Sequence, residues 1–156
     1  MATKTMAEKV LSGRGIDFEV FAYPDTLTDA VAVAEAVGAS PSLVFKTLVA
    51  TRPAGKPMLV MIPANRTLNL KSLAKMVGEK KIKMASHNEA EDLTKLQVGG
   101  ISALVLLNRG FDIFLDKSAI SLERIYISGG KRGLQVRLSV KDLEKVTKAK
   151  IVEVSE

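Results

Sequence analysis

The sequence predicts an α+β fold: a mixed, barrel-like β-sheet flanked by helices. Two observations predict it. Runs with strand composition and runs with helical periodicity are interleaved, without the regular βαβ alternation of a parallel α/β protein. The one pronounced break, the glycine pair at 99–100, separates a helix from a strand and lacks the composition of an interdomain linker. Residues 1–156 therefore read as one domain, long enough to bury a sizeable core.

Each element has a local reason. Residues 1–14 read as an amphipathic helix, with Thr5 and Glu8 at capping-box spacing and Gly13 able to end it. Residues 18–23 are aromatic and apolar, a strand stopped by Pro24. The Ala/Val-rich residues 28–37 form a helix ending at Gly38, and 39–41 connect it to a strand over 44–51. The turn cluster at 52–57 returns the chain through a strand at 58–62, a β-hairpin. Residues 69–77 form a helix closed by Gly78, with Leu70, Leu73, Ala74 and Val77 on one face. An extended piece follows at 82–84. Ser86 and Glu89 make a second capping box for a helix to about residue 96, broken by 97–100. A buried-type strand is predicted at 101–107, a turn at 108–110, and strands at 111–115 and 124–128. A glycine loop at 129–133 leads into a strand at 134–138. Ser139 and Asp142 cap a final helix to about residue 147, and 151–154 close the chain as a strand.

Composition excludes several chemistries. There is no cysteine, so disulfides, thiolate metal sites, iron–sulfur clusters and a cysteine nucleophile are ruled out. A single histidine rules out a multi-histidine metal site. No cofactor and no metal are expected. No apolar run reaches the ~18 residues of a membrane span, and the N-terminal segment lacks a signal peptide's apolar centre, so a cytoplasmic location is expected. The net charge of +6 is uneven: residues 1–65 carry six basic and six acidic side chains, 66–123 nine and seven, 124–156 eight and four. A basic excess growing toward the C-terminus would attract a polyanion such as RNA, or serve only as a solvated face.

Three segments carry candidate chemistry. Strand periodicity puts Val44, Lys46, Leu48 and Ala50 on one face and Phe45, Thr47 and Val49 on the other, and both faces are largely apolar. Lys46 is then either an edge-strand lysine that discourages aggregation or a lysine at a pocket rim that holds an anion. In the run Val98, Gly99, Gly100, Ile101, Ser102, the glycines either cap a helix and turn the chain or bring backbone N–H groups up to a ligand and a developing oxyanion. The run Ser128, Gly129, Gly130, Lys131, Arg132, Gly133 is neither a Walker A loop nor a dinucleotide fingerprint. It is a hairpin turn with solvated charges or an anion-binding nest. His87 reads as a surface residue at a helix start. Asp112 and Asp116 flank a strand, either as an acid/base pair or as marks of strand ends. Tyr23 is a core or rim aromatic, or a hydroxyl donor.

These three segments, in this order and at these intervals, resemble the YbaK/EbsC family, also called the prolyl-tRNA synthetase-associated (ProX-like) editing domain. The likeness spans nearly the whole chain. It implies a barrel-like mixed sheet flanked by helices, and trans-editing hydrolysis of misacylated aminoacyl-tRNA, with Cys-tRNA(Pro) or Ala-tRNA(Pro) as expected substrates. The alternative is a non-catalytic tRNA- or synthetase-binding module of the same fold. An apolar synthetase pocket discriminates poorly against small amino acids, so a second site removes the errors. By resemblance, Lys46, with Thr47 beside it, holds the terminal phosphate–adenosine end of the tRNA. Gly99, Gly100, Ile101 and Ser102 line the aminoacyl pocket, Ser128, Gly129 and Gly130 form the second loop, and Tyr23 is the pocket aromatic. N–H groups around Gly100 and Ile101 are expected to stabilise the oxyanion. Water oriented by the terminal ribose hydroxyl, or the thiol of a cysteinyl substrate, is the expected attacking group. Lys131, Arg132 and Arg137, with Arg124, Lys141 and Lys145, are candidates for tRNA phosphates, and the expected partners are the tRNA acceptor end and prolyl-tRNA synthetase. Gln135 departs from the family pattern: cysteinyl-tRNA deacylases tend to carry an aspartate there. The segment 24–37 is also shorter than in those enzymes.

Overall fold

A computed structural model describes residues 4–156. The first three residues of the expected N-terminal helix lie outside the described residues. The elements in chain order are α1 (Met6–Gly13), β1 (Glu19–Ala22), α2 (Ala30–Val37), a 3₁₀ turn (Pro41–Leu43), β2 (Phe45–Thr51), β3 (Met58–Pro63), α3 (Leu70–Val77), β4 (Lys83–Met84), α4 (His87–Thr94), β5 (Asp112–Asp116), a 3₁₀ turn (Lys117–Ser121), β6 (Arg124–Ser128), β7 (Leu134–Ser139), α5 (Val140–Thr147) and β8 (Lys150–Val152).

The helix ends follow the local chemistry. Thr5 and Ser86 both close reciprocal capping boxes, with Glu8 and Glu89. Asp29, Asn69 and Ser139 cap α2, α3 and α5 by accepting from the N–H three residues on. Gly38 and Gly78 end α2 and α3 in the left-handed conformation.

The strands form two sheets rather than a closed barrel. One is antiparallel, in the order β1-β7-β6; the other is mixed, in the order β4-β2-β3-β5-β8. The expected hairpin of β2 and β3 is present, with Lys46 opposite Ile62. β3 then pairs parallel with β5, and β5 parallel with β8. The sheets meet where Val44 bridges Tyr126. β3 is buried along its whole length and splits two cores by its period of two. Leu59 and Met61 join Phe45, Val49, Leu115, Ile125, Ile127 and Val136 in the larger core; Met58, Val60 and Ile62 join Ala50, Leu73 and Phe114 in the smaller.

One predicted element is absent. Residues 101–107 form successive turns rather than a strand, closed by Val105 N–H to Ser102 O and Leu106 N–H to Ala103 O at 3.2 Å each. Ile101, Ala103, Leu104 and Leu106 are nonetheless buried in the larger core. A short apolar run reports burial but not backbone conformation. Here Ser102 Oγ accepts from Leu104 N–H at 3.2 Å, a local bond that favours the turn over a ladder.

Candidate active site

The three segments picked out in the sequence converge on one cavity. Its volume is about 250 Å3, and Tyr23, Lys46, Thr47, Gly99, Ile101, Ser128 and Gln135 all line it. The elements that bring them together are the end of β1, the start of β2, the loop after α4, the end of β6 and the start of β7. Ser128 and Gln135 face each other in the β6–β7 register.

Lys46 projects from the half of β2 that β4 leaves unpaired, since β4 reaches only Ala50 and Thr51. Its Nζ donates to Ala64 O at 3.2 Å. Burial pushes its pKa below the ordinary lysine value, and the nearby Asp29 carboxylate pulls it part of the way back. No carboxylate lies within ion-pair distance among the described residues. A partly desolvated ammonium with one backbone acceptor has unused donors and a deficit of negative charge, which an incoming anion relieves.

The two glycine loops are packed against each other. A Cβ on Gly100 would stand 2.8 Å from Lys131 Cα and 2.9 Å from Arg132 N. Only glycine permits that approach. Arg132 locks the contact by donating Nε–H to Val98 O at 2.6 Å. Gly99 has φ of 92° and Gly130 of 96°, left-handed values that favour glycine at both turns.

Donors in these loops are unevenly free. Gly100 N–H donates to Gln97 O at 2.8 Å, Gly129 N–H to Leu134 O at 2.8 Å and Gly130 N–H to Ser128 Oγ at 3.2 Å. Gly100, Gly129 and Gly130 do not line the cavity. Of the pair named for oxyanion stabilisation, Ile101 borders the cavity, and its N–H takes no intramolecular acceptor among the described residues. Ser102 is buried and holds its turn.

Two residues that line the cavity carry a polar atom with no hydrogen-bond partner among the described residues. Tyr23 Oη and Gln135 Oε1 are buried without a hydrogen bond, in residues only 8% and 5% exposed. An orphaned buried polar group costs about 1–3 kcal/mol. Both residues line the cavity, and such groups call for a partner from ordered water or a ligand.

The basic residues expected to hold tRNA do not gather here. Arg132 serves Val98 O, and Arg137 pairs with Glu19 at 3.1 Å and lies 5.7 Å over the Tyr126 ring. Arg124 shares Glu19 at 3.5 Å. Lys131 is exposed beside the loop contact. Asp112 and Asp116 lie elsewhere: Asp112 pairs with Arg52, and Asp116 binds Ser118, Val154 and Ser155.

Asp29 and His87 line the cavity too, and sequence reasoning gave neither a role in it. Asp29 was concealed inside a helix start, although its capping position was readable. His87 is exposed, as expected, and only the fold brings it to the cavity that Lys46 also lines.

A small recess lined by a partly buried lysine, beside two facing glycine loops and unpaired polar groups, is a site suited to a compact, anion-bearing ligand. Residues 25–146 match the aminoacyl-tRNA editing domain, and the chain belongs to that family. It is 30% identical over 154 residues to a protein of Enterococcus faecalis (strain ATCC 700802 / V583) that carries the provisional name Cys-tRNA(Pro)/Cys-tRNA(Cys) deacylase EbsC, covering 97% of this chain and 93% of that one. It is 28% identical over 94 residues to the prolyl-tRNA editing protein ProX of Acetoanaerobium sticklandii, covering 58% and 57%. The crystal structure of the hypothetical protein APE2540 superposes with a TM-score of 0.89 at 26% identity, covering 97% of this chain and 100% of that one.

Proposed function

We propose that this protein is an aminoacyl-tRNA deacylase that acts in trans, hydrolysing the ester of misacylated tRNA, with Cys-tRNA(Pro) or Ala-tRNA(Pro) as substrate. The observation that carries the reading is the convergence of Lys46, Ile101, Tyr23 and Gln135 on one cavity of about 250 Å3. That is below the ~300–1,000 Å3 of drug-sized pockets and suits a small acyl group with its ester.

Each group has a task. Lys46 holds the 3′-terminal phosphate, exchanging a poorly solvated charge for an ion pair. The aminoacyl group enters the cavity beside Gly99 and Ser128, where its α-ammonium gives Gln135 Oε1 the donor it lacks. Ile101 N–H faces the carbonyl oxygen as negative charge develops. No side-chain nucleophile is required: an aminoacyl ester is already activated, so fixing it beside a water oriented by the ribose hydroxyl provides the gain. A cysteinyl substrate can use its own thiol. The partner that delivers substrate is the charging synthetase, prolyl-tRNA synthetase under this reading, in the cytoplasm.

The test is hydrolysis of Ala-, Cys-, Ser- and Pro-tRNA(Pro) by wild type and Lys46→Ala. The expected outcome is release of one misacylated amino acid with Pro-tRNA spared. Lys46→Ala should lose about 100-fold in kcat/KM and stay within ~0.5 kcal/mol of wild type in stability. No hydrolysis with tRNA still bound would replace the enzyme by the binding module.

A further inference from the structure

A second, larger recess lies at the other end of the mixed sheet. Lys46 stands near the start of β2, whereas Arg52 directly follows its last residue. Six residues of extended chain separate them, roughly 20 Å. Around Arg52, the starts of β5 and β8 and the ends of α3 and α5 border a cavity of about 610 Å3. Five cationic side chains line it: Arg14, Arg52, Lys56, Lys148 and Lys150. The only lining carboxylate is Asp112, and Arg52 already takes it. The other four cations are exposed and form no ion pair among the described residues.

These four charges come from three parts of the chain: the residue after α1, the β2–β3 turn, and the α5–β8 junction that carries both Lys148 and Lys150. The fold gains nothing from gathering them, because like charges around one recess repel. Lys148 also holds φ of 54°, where glycine or asparagine would sit with less strain.

The Lys46 cavity, by contrast, offers one lysine beside one aspartate, and Arg124, Arg132 and Arg137 are engaged within the protein. Affinity for a nucleic acid grows with the number of phosphates neutralised. The C-terminal excess of charge that remains unspent includes Lys148 and Lys150.

We propose that this recess is a second RNA-binding site, which grips the phosphate backbone of a tRNA away from its acylated 3′ end. The choice of RNA rests on the proposed tRNA substrate; the site itself rests on the unpaired cations.

The experiment compares the triple variant Lys56→Gln/Lys148→Gln/Lys150→Gln with Lys9→Gln/Lys71→Gln/Lys95→Gln. The second set removes the same charge from exposed lysines that line neither cavity, and Lys95, like Lys148, is left-handed. Binding of uncharged tRNA is measured across a salt series, with a melt of each variant. The recess variant should bind about tenfold more weakly, and its slope of log K against log salt should be shallower by about 2–3. The control should keep nearly the wild-type slope. Hydrolysis of an aminoacylated CCA trinucleotide should be unchanged in both. Equal slopes for the two triple variants would overturn the site. Polyglutamate is titrated alongside as a polyanion that is not a nucleic acid, and its loss of binding in the recess variant with tRNA binding intact would overturn RNA as the ligand. If wild type hydrolyses no ester yet the slopes separate as expected, the recess stands and the editing reading fails. Lys46-dependent hydrolysis with wild-type tRNA binding in the recess variant gives the reverse.

Discussion

Replacing Gly100 with alanine adds one methyl group where two loops touch. Its Cβ would lie 2.8 Å from Lys131 Cα, 2.9 Å from Lys131 C and 2.9 Å from Arg132 N. Ordinary carbon contacts begin near ~3.5 Å, so the loops must part by roughly 0.7 Å. All three obstructing atoms are backbone, so no side chain can swing aside. The cost is that of overpacking, about 1–3 kcal/mol, and in a chain of this size each kcal/mol lowers Tm by about 2–4 °C. The displacement also moves Gly99 and Ile101 relative to Ser128, all of which border the cavity. A shift approaching 1 Å in positioning groups can cost about 100-fold in rate. Thermal melts and single-turnover deacylation would be run on Gly100→Ala beside Gly13→Ala, whose Cβ meets nothing within 4 Å. The expected result is a lower Tm and a loss of at least about tenfold in rate for Gly100→Ala alone. Wild-type stability and rate in that variant would refute the claim that glycine is there for the close approach of the loops.

Two further outcomes are expected. Gln135→Leu removes a buried acceptor that has no partner, so it should raise stability by about 1 kcal/mol in a denaturant titration while deacylation falls; a drop in stability would show that the amide is satisfied within the fold. Burial would raise the Asp116 pKa, but bonds from Ser118, Val154 and Ser155 outweigh it and hold the carboxyl below its ordinary 3.8. A depressed carboxyl stabilises fully above its unfolded value, and the contribution is lost as pH falls through the lower folded value. Asp116→Asn should therefore destabilise the protein at neutral pH, and the gap should narrow as pH falls below 3.8; a gap independent of pH would sink that account.

Much of the local structure is legible in the sequence. The capping boxes at Thr5 and Ser86 close with their glutamates three residues on, because a capping box is a local bond. The β2–β3 hairpin followed from a turn cluster between two apolar runs. The run at 101–107 was misread as a strand, because burial looks the same in a turn-rich segment packed on a core. The expected α+β architecture, a mixed sheet flanked by helices, is there, as two sheets that meet at Val44 and Tyr126 without closing into a barrel.

The sequence by itself determined that Lys46 sits on a strand with apolar faces, and that two glycine loops follow in a recognisable order. Residue type and spacing are local properties, and they suffice for that. The tertiary structure decided what these residues meet. It placed Lys46, Ile101, Ser128 and Gln135 around one cavity, turned Asp29 and His87 into it, engaged Arg124, Arg132 and Arg137 within the protein, and left Lys56, Lys148 and Lys150 around a different recess. Those contacts join residues far apart in the chain, through parallel strand pairing and the meeting of two sheets, and no short-range periodicity encodes them.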